Sequence, residues 1–309
     1  MSQPSCSANA HAYTEPLAGT ASEAAGYVLI EQPGSWGREA VTTSGLDPRL
    51  GARLQERAAK AGVKVLLMRR PGAASASSER APSERARRVR LVHAGTRPWS
   101  ETCRLDEDEL ARLDPTVCAS ETPPGIGDRD DAPRWVVCTN AKRDRCCARL
   151  GRPIADTLAA IHPEETMESS HLGGHRFAGT MLLLPHGLLY GHLDVVAALE
   201  VATHHLAGRV ELEHLRGRGH LPAAAQVAEI AVRRTLGIVA HDEVEITHLP
   251  VSAPQPDGPE VQVVANAAGH QAQVTVTARH DPPARLLSCD AAEPGIPIVL
   301  EAGAVTVIG

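Results

Sequence analysis

Five side chains have the types and spacing to do metal chemistry. Cys138 is followed by a short polar, basic loop and then by the doublet Cys146-Cys147, while His171 and His175 stand four positions apart around Gly173-Gly174. The first thiol ends an apolar strand pattern and the other two open a helix pattern. A helix N-terminus, with Lys142, Arg143 and Arg145 nearby, favours the thiolate that bonds a metal. Arg143 and Asp144 are placed to pair with each other and fix the loop. The two glycines argue against a helix between the imidazoles and permit a tight loop that turns both rings inward. Two soft thiolates and two imidazoles suit either tetrahedral zinc or a 2Fe-2S centre in which His replaces two Cys. Spacing does not choose the metal, and such combinations also arise by chance in a chain with 15 histidines.

The other cysteines and histidines read more plainly. Cys103, Cys118 and Cys289 fit small buried hydrophobes, and His186, His192, His204 and His205 fit structural or exposed roles. Seven cysteines, Cys6 included, are an odd number in a chain whose first residues carry no export pattern. That predicts reduced thiols or metal ligands rather than a disulfide scaffold.

Bulk composition narrows the function classes. A formal charge of -6, from 31 basic and 37 acidic residues, offers no broad basic field for nucleic acid. The most apolar stretch, from Met181, is broken by Pro185, His186 and His192, well short of the ~20 apolar residues that span a bilayer. The expectation is a cytoplasmic protein with no membrane contact. With three Trp, three Tyr and one Phe in 309 residues, Ala, Val and Leu must do most of the packing.

Stepping along the chain, residues 26–31 read as a strand, 48–61 as a helix and 63–68 as a second strand, the order of a parallel βαβ pair. Residues 71–88, rich in Ser, Ala and charge, suit a mobile surface loop. Strand character returns at 89–93, the acidic run 101–109 suggests a polar helix or turn, and 121–128 reads as a boundary. Then come a strand at 135–138, a helix at 151–161 with Pro153 near its first turn, strands at 180–184 and 188–192, and helices at 194–206 and 221–236 covering one face of the sheet. From Glu243 the pattern alternates with period two, predicting a small antiparallel β unit. The first and central βα units are candidate copies of one fold. The implied division is an N-terminal α/β domain at 1–125, a second at 126–240 and a β-rich unit at 241–309.

A resemblance chooses among these chemistries. Trp135-Val136-Val137-Cys138-Thr139, Arg143-Asp144, Cys146-Cys147-Ala148, Gly151-Arg152-Pro153 and the run from His171 to Gly179 resemble the sucrase/ferredoxin-like family, also called thioredoxin-like ferredoxins. Glu15 to Ala21, Pro33 to Gly37, Tyr190-Gly191-His192 and Gly217 to His220 resemble it too, so the likeness covers about Cys6 to Leu236. It implies an α/β fold in which a thioredoxin-like ferredoxin domain is preceded by a smaller α/β unit, itself possible as thioredoxin-like, and followed by the antiparallel β unit. It also implies a 2Fe-2S cluster held by Cys138, Cys147, His171 and His175, with Cys146 as the competitor of Cys147. The word sucrase says little about activity.

The expected function is therefore electron transfer between redox protein partners rather than stand-alone catalysis. Two neutral imidazoles in place of two thiolates leave the cluster less negative, which should raise its potential hundreds of millivolts above the roughly -400 mV of plant-type ferredoxins. The outer ring nitrogens would couple proton release to oxidation. Lys142, Arg143 and Arg176 are candidates for fixing the loop, tuning cluster charge or steering a partner. The alternatives are a structural zinc protein with the same ligands and a thiol-disulfide oxidoreductase using Cys146-Cys147, which adjacency would strain.

Overall fold

A computed structural model of the protein describes residues 5–73, 86–249 and 253–308, so most of the loop expected at 71–88 lies outside the described residues. The fold is mixed α/β, with a large mixed sheet and a separate four-stranded antiparallel sheet at the C-terminal end. Compactness divides the chain into two units. One takes Ala24–Gly173 with Gly179–Gly187; the other takes the described residues up to Glu23, Gly174–Ala178 and those from Leu188 onward. Residues 125 and 126 both fall in the former, and 240 and 241 both in the latter.

The chain opens, in the second of these units, with α1 (Cys6–Ala12), whose N-cap Ser5 accepts from the Ala8 amide at 3.3 Å. The larger pattern begins with β1 (Gly26–Glu31), α2 (Pro48–Ala59) and β2 (Val63–Arg69), where β1 and β2 are parallel. Asp47 caps α2 through the Leu50 amide at 2.7 Å and Pro48 sits at its first turn, where its missing N–H costs nothing. Leu50, Leu54 and Ala58 then point from one helix face into the core formed with Val28, Ile30, Val65 and Leu67. Next, β3 (Arg87–His93) pairs antiparallel with β1, and β4 (Trp99–Leu105) with β3.

The acidic run 101–109 is a correction to the sequence reading: its first half is strand, and only α3 (Glu107–Arg112) is helical, behind an Asp106/Glu109 capping box. Glu101 tolerates burial in the strand because its carboxylate accepts from the amides of Gly125 at 3.0 Å, Ile126 at 2.9 Å and Gly127 at 3.2 Å. Those donors replace lost water and fold the glycine-rich stretch that leads into β5 (Asp128–Arg129), which pairs with β4.

The same plan is then repeated. After β6 (Arg134–Cys138) come α4 (Arg145–Ile161), β7 (Thr166–Ser169) and β8 (Met181–Leu184), with β6 and β7 parallel and β8 antiparallel to β6. Both halves are thus βαββ units with the first strand between the other two. An antiparallel pairing of β2 with β7 joins them, giving the order β8-β6-β7-β2-β1-β3-β4-β5. At that joint Arg69 and Glu168 face each other in register and form a buried ion pair at 2.5 Å, with Arg69 also stacked over Trp36 at 3.9 Å.

The remaining unit contains β9 (Leu188–Tyr190), α5 (Val195–Leu206), β10 (Leu215–Arg218), α6 (Ala223–Leu236), β11 (Val244–His248), β12 (Val261–Ala267), β13 (His270–His280) and β14 (Ile298–Val307). The last four strands form the antiparallel sheet in sequence order, as the period-two pattern predicts. Helix α6 ends at Gly237, whose φ of +68° suits a residue without Cβ. Its Ala224, Val227, Ala228 and Val232 pack on Val263, Ala265 and Val274, so α6 covers the C-terminal sheet. The small Ala and Val side chains allow that close packing. Among the described residues no helix is long and apolar enough to cross a membrane.

Candidate metal centre

Cys138 is the last residue of β6, and its amide donates to the Thr180 carbonyl at 3.1 Å. After the loop, Asp144 accepts from the Cys146 amide at 2.9 Å and caps α4. The helix therefore starts six residues before the expected Gly151, takes in both cysteines of the doublet, and holds Pro153 inside rather than in its first turn. Successive helical residues point about 100° apart, so adjacent thiols cannot both face the strand end. Cys147 does: its Sγ is 3.7 Å from His171 Nδ1, and Cys138 Sγ is 3.8 Å from the same nitrogen. The ligand atoms of Cys138, Cys147 and His171 all lie within 4.8 Å of one another.

Strand pairing brings His171 there. Because β6 and β7 run parallel with Cys138 opposite Ser169, the residues just after β7 emerge beside the thiols. Ser170 secures the exit: its amide donates to the Leu67 carbonyl at 2.9 Å and its hydroxyl accepts from the Leu67 amide at 3.0 Å. Gly151 permits the close approach of α4, since a Cβ there would stand 2.1 Å from the Cys138 carbonyl oxygen.

Both thiols are fully buried, whereas His171 is half-exposed. Hydrogen bonding with Cys147 holds the Cys138 thiol well below the ordinary thiol range; burial opposes this and His171 assists it. The same hydrogen bond, followed by burial, pushes Cys147 up. In that arrangement Cys147 is the proton donor to Cys138, and a cation bound by both sulfurs would displace that proton.

Around them, Asn140 organises the loop by accepting from the Lys142 amide at 3.2 Å and donating to the Gly37 carbonyl at 3.1 Å. Arg143 pairs with Glu39 and Asp144 caps the helix, so each has a partner other than its neighbour. Lys142 is exposed. In the other unit, Arg176 donates to Glu15 at 2.6 Å and lies 4.5 Å over the Phe177 ring, which makes it a paired charge rather than an ordinary solvated one.

The model of the sucrase/ferredoxin-like family matches residues 17–217, about two thirds of the chain and all of the centre just described. The chain belongs to the sucrase/ferredoxin-like family. Comparisons with curated proteins and with solved structures found no match.

The sucrase/ferredoxin-like donor set passes a simple fit test. Ligands on one tetrahedral centre, with metal–sulfur bonds of about 2.3 Å and metal–nitrogen bonds of about 2.1 Å, stand roughly 3.6 Å apart. The two sulfur-to-nitrogen distances of 3.7 and 3.8 Å come close to that. His175 follows Gly173 and Gly174, both with positive φ (+91° and +68°), and starts the 3-10 turn His175–Phe177 in the other unit.

Elsewhere the plain readings hold in part. Cys118 is buried and its thiol is pushed up to about 12 by that burial, and Cys103 is raised by the same cause. His205 is buried, with its ring 4.5 Å from that of His241. Cys289 departs from its reading: it is half-buried, and its Sγ lies 3.5 Å from that of Cys6. No local signal marks two residues so far apart as partners.

Proposed function

We propose that this protein is an electron carrier that holds a 2Fe-2S cluster through Cys138, Cys147, His171 and His175 and exchanges electrons with protein partners. The observation that carries the proposal is the convergence of Cys138, Cys147 and His171 at the end of β6 and β7 in a chain of this family. His175, four residues beyond His171, lies within the roughly 14 Å that four residues can span, and the intervening glycines allow the chain to turn back. When bound, the cluster supplies one-electron redox chemistry, with a potential raised by its neutral ligands.

The protein's own residues prepare for it. Two buried thiols exclude water from one side, and half-exposed His171 provides the edge nearest a partner. Exposed Lys142, in the loop between Cys138 and Cys147, adds a positive charge suited to an acidic docking face. Anaerobically purified protein should be brown, contain two irons and two acid-labile sulfides per chain, and give an electron paramagnetic resonance signal when reduced.

Zinc is the second reading, favoured by the near-tetrahedral ligand separations. A colourless protein with one zinc and no sulfide would replace the electron-transfer proposal with a structural one. A thiol-disulfide enzyme using Cys146 and Cys147 has less support, because both sit in one helical turn that directs them apart.

A further inference from the structure

Two thiols that the centre above does not use meet at the joined ends of the chain. Cys6 opens α1 and has no exposed surface; Cys289 follows Ser288 in a tight turn and is half-buried. Their sulfurs are 3.5 Å apart across 283 positions of sequence. A disulfide needs about 2.05 Å, so a shift of about 1.5 Å closes the gap.

Both segments are already tied to the turn that carries His175. The Ser7 hydroxyl donates to the Ala178 carbonyl at 2.9 Å. Glu15, nearly fully buried, uses one oxygen for Arg176 at 2.6 Å and the other for Arg285 at 3.1 Å. Arg285 is held in turn by Asp281 at 2.6 Å, and its backbone pairs with Gly295 to close the loop containing Cys289. The turn, α1 and the C-terminal loop are thus linked by charge and hydrogen bonds, with the thiol pair beside them.

We propose that Cys6 and Cys289 are a reversible thiol–disulfide pair, oxidised by a hydroperoxide, that clamps the two chain ends over the turn His175–Phe177. Cys289, the more accessible sulfur, attacks the peroxide as its thiolate; the O–O bond breaks, one water leaves, and Cys289 becomes a sulfenic acid. Cys6 sulfur then displaces the hydroxyl as a second water, forming the S–S bond. Two thiols lose two electrons and two protons in total, and one hydrogen peroxide becomes two waters. A small-molecule dithiol reverses the step. The clamp does not depend on which metal, if any, the centre holds.

The test is peptide mapping of the full chain after brief hydrogen peroxide treatment, with free thiols alkylated. The expected result is a Cys6–Cys289 linked peptide, lost on reduction, and slower amide exchange over Gly174–Ala178 in the oxidised form. Oxidation should also raise the wild-type Tm by about 5 °C relative to Cys289→Ser treated identically, a comparison that cancels any damage to the metal centre. Full alkylation of both thiols after peroxide, a link from Cys289 to any other cysteine, or joint protection that a zinc chelator abolishes would each overturn the proposal. Metal content is measured separately, so loss of the cluster reading leaves this result interpretable.

Discussion

Cys147 Sγ stands 3.7 Å from His171 Nδ1 although 24 positions separate them in sequence, and Cys146, one residue away, is absent from that group. Helical rotation decides which thiol of the doublet faces Cys138 and His171. Cys147→Ser and Cys138→Ser should each lower bound metal or iron by about tenfold or more, while Cys146→Ser retains it. Metal analysis of the three purified variants checks this, and equal loss in Cys146→Ser would contradict the assignment.

Gly151 matters through contact rather than flexibility. A methyl group there meets the Cys138 carbonyl at 2.1 Å, so α4 or the end of β6 must move. Gly151→Ala should destabilise the fold by about 1–3 kcal/mol and reduce metal content together with it. Urea unfolding and metal analysis on one preparation measure both; wild-type values would show that the helix has more room than its backbone suggests.

The β2–β7 joint depends on a charge pair with almost no solvent around it. Arg69 and Glu168 are each only 3% exposed. Glu168→Gln leaves the guanidinium buried without its counter-charge, at a cost of about 3–5 kcal/mol. The urea midpoint reports it, and a loss of a few tenths would mean that the Gly34 carbonyl and the Trp36 ring suffice for Arg69.

His192 sets an acid limit. Burial, with cations at Arg216 and Arg176 and the imidazoles of His11 and His214 nearby, lowers its pKa to about 4. The folded state therefore binds fewer protons than the unfolded chain between about pH 6.5 and 4. Its stabilising contribution is complete above pH 6.5 and falls as pH drops through that window, by roughly 2–3 kcal/mol at the acid end. His241, also lowered to about 4 by burial, acts in the same direction. His192→Asn, which tolerates the φ of +53° at this position, should narrow the stability difference between pH 7 and pH 4.5 in urea titrations.

Much of the architecture was legible because it is written in short-range patterns. The apolar runs of β1, β6 and β8 and the alternation of β12 and β13 announce strands directly, and Gly237 marks the end of α6. The start of α4 was less legible, since its signal is a single capping side chain, Asp144, inside a loop of charged residues. The acidic strand β4 hid for a related reason: the amides that satisfy Glu101 lie 24 to 26 positions away.

Sequence alone determined the ingredients of this protein: soft donors at Cys138, Cys146, Cys147, His171 and His175, βα units to carry them, and a β-rich end. These are local properties, set by side-chain chemistry and by periodicity over a few residues. The family resemblance preferred Cys147 over Cys146, but only tertiary structure places Cys147 beside Cys138 and His171 and brings Cys6 to Cys289. The reason is physical: strand pairing and helix rotation set the first, while the Glu15–Arg285 ion pair and the Arg285–Gly295 backbone pairing hold the segments of the second. Such long-range contacts leave no trace in the spacing between residues.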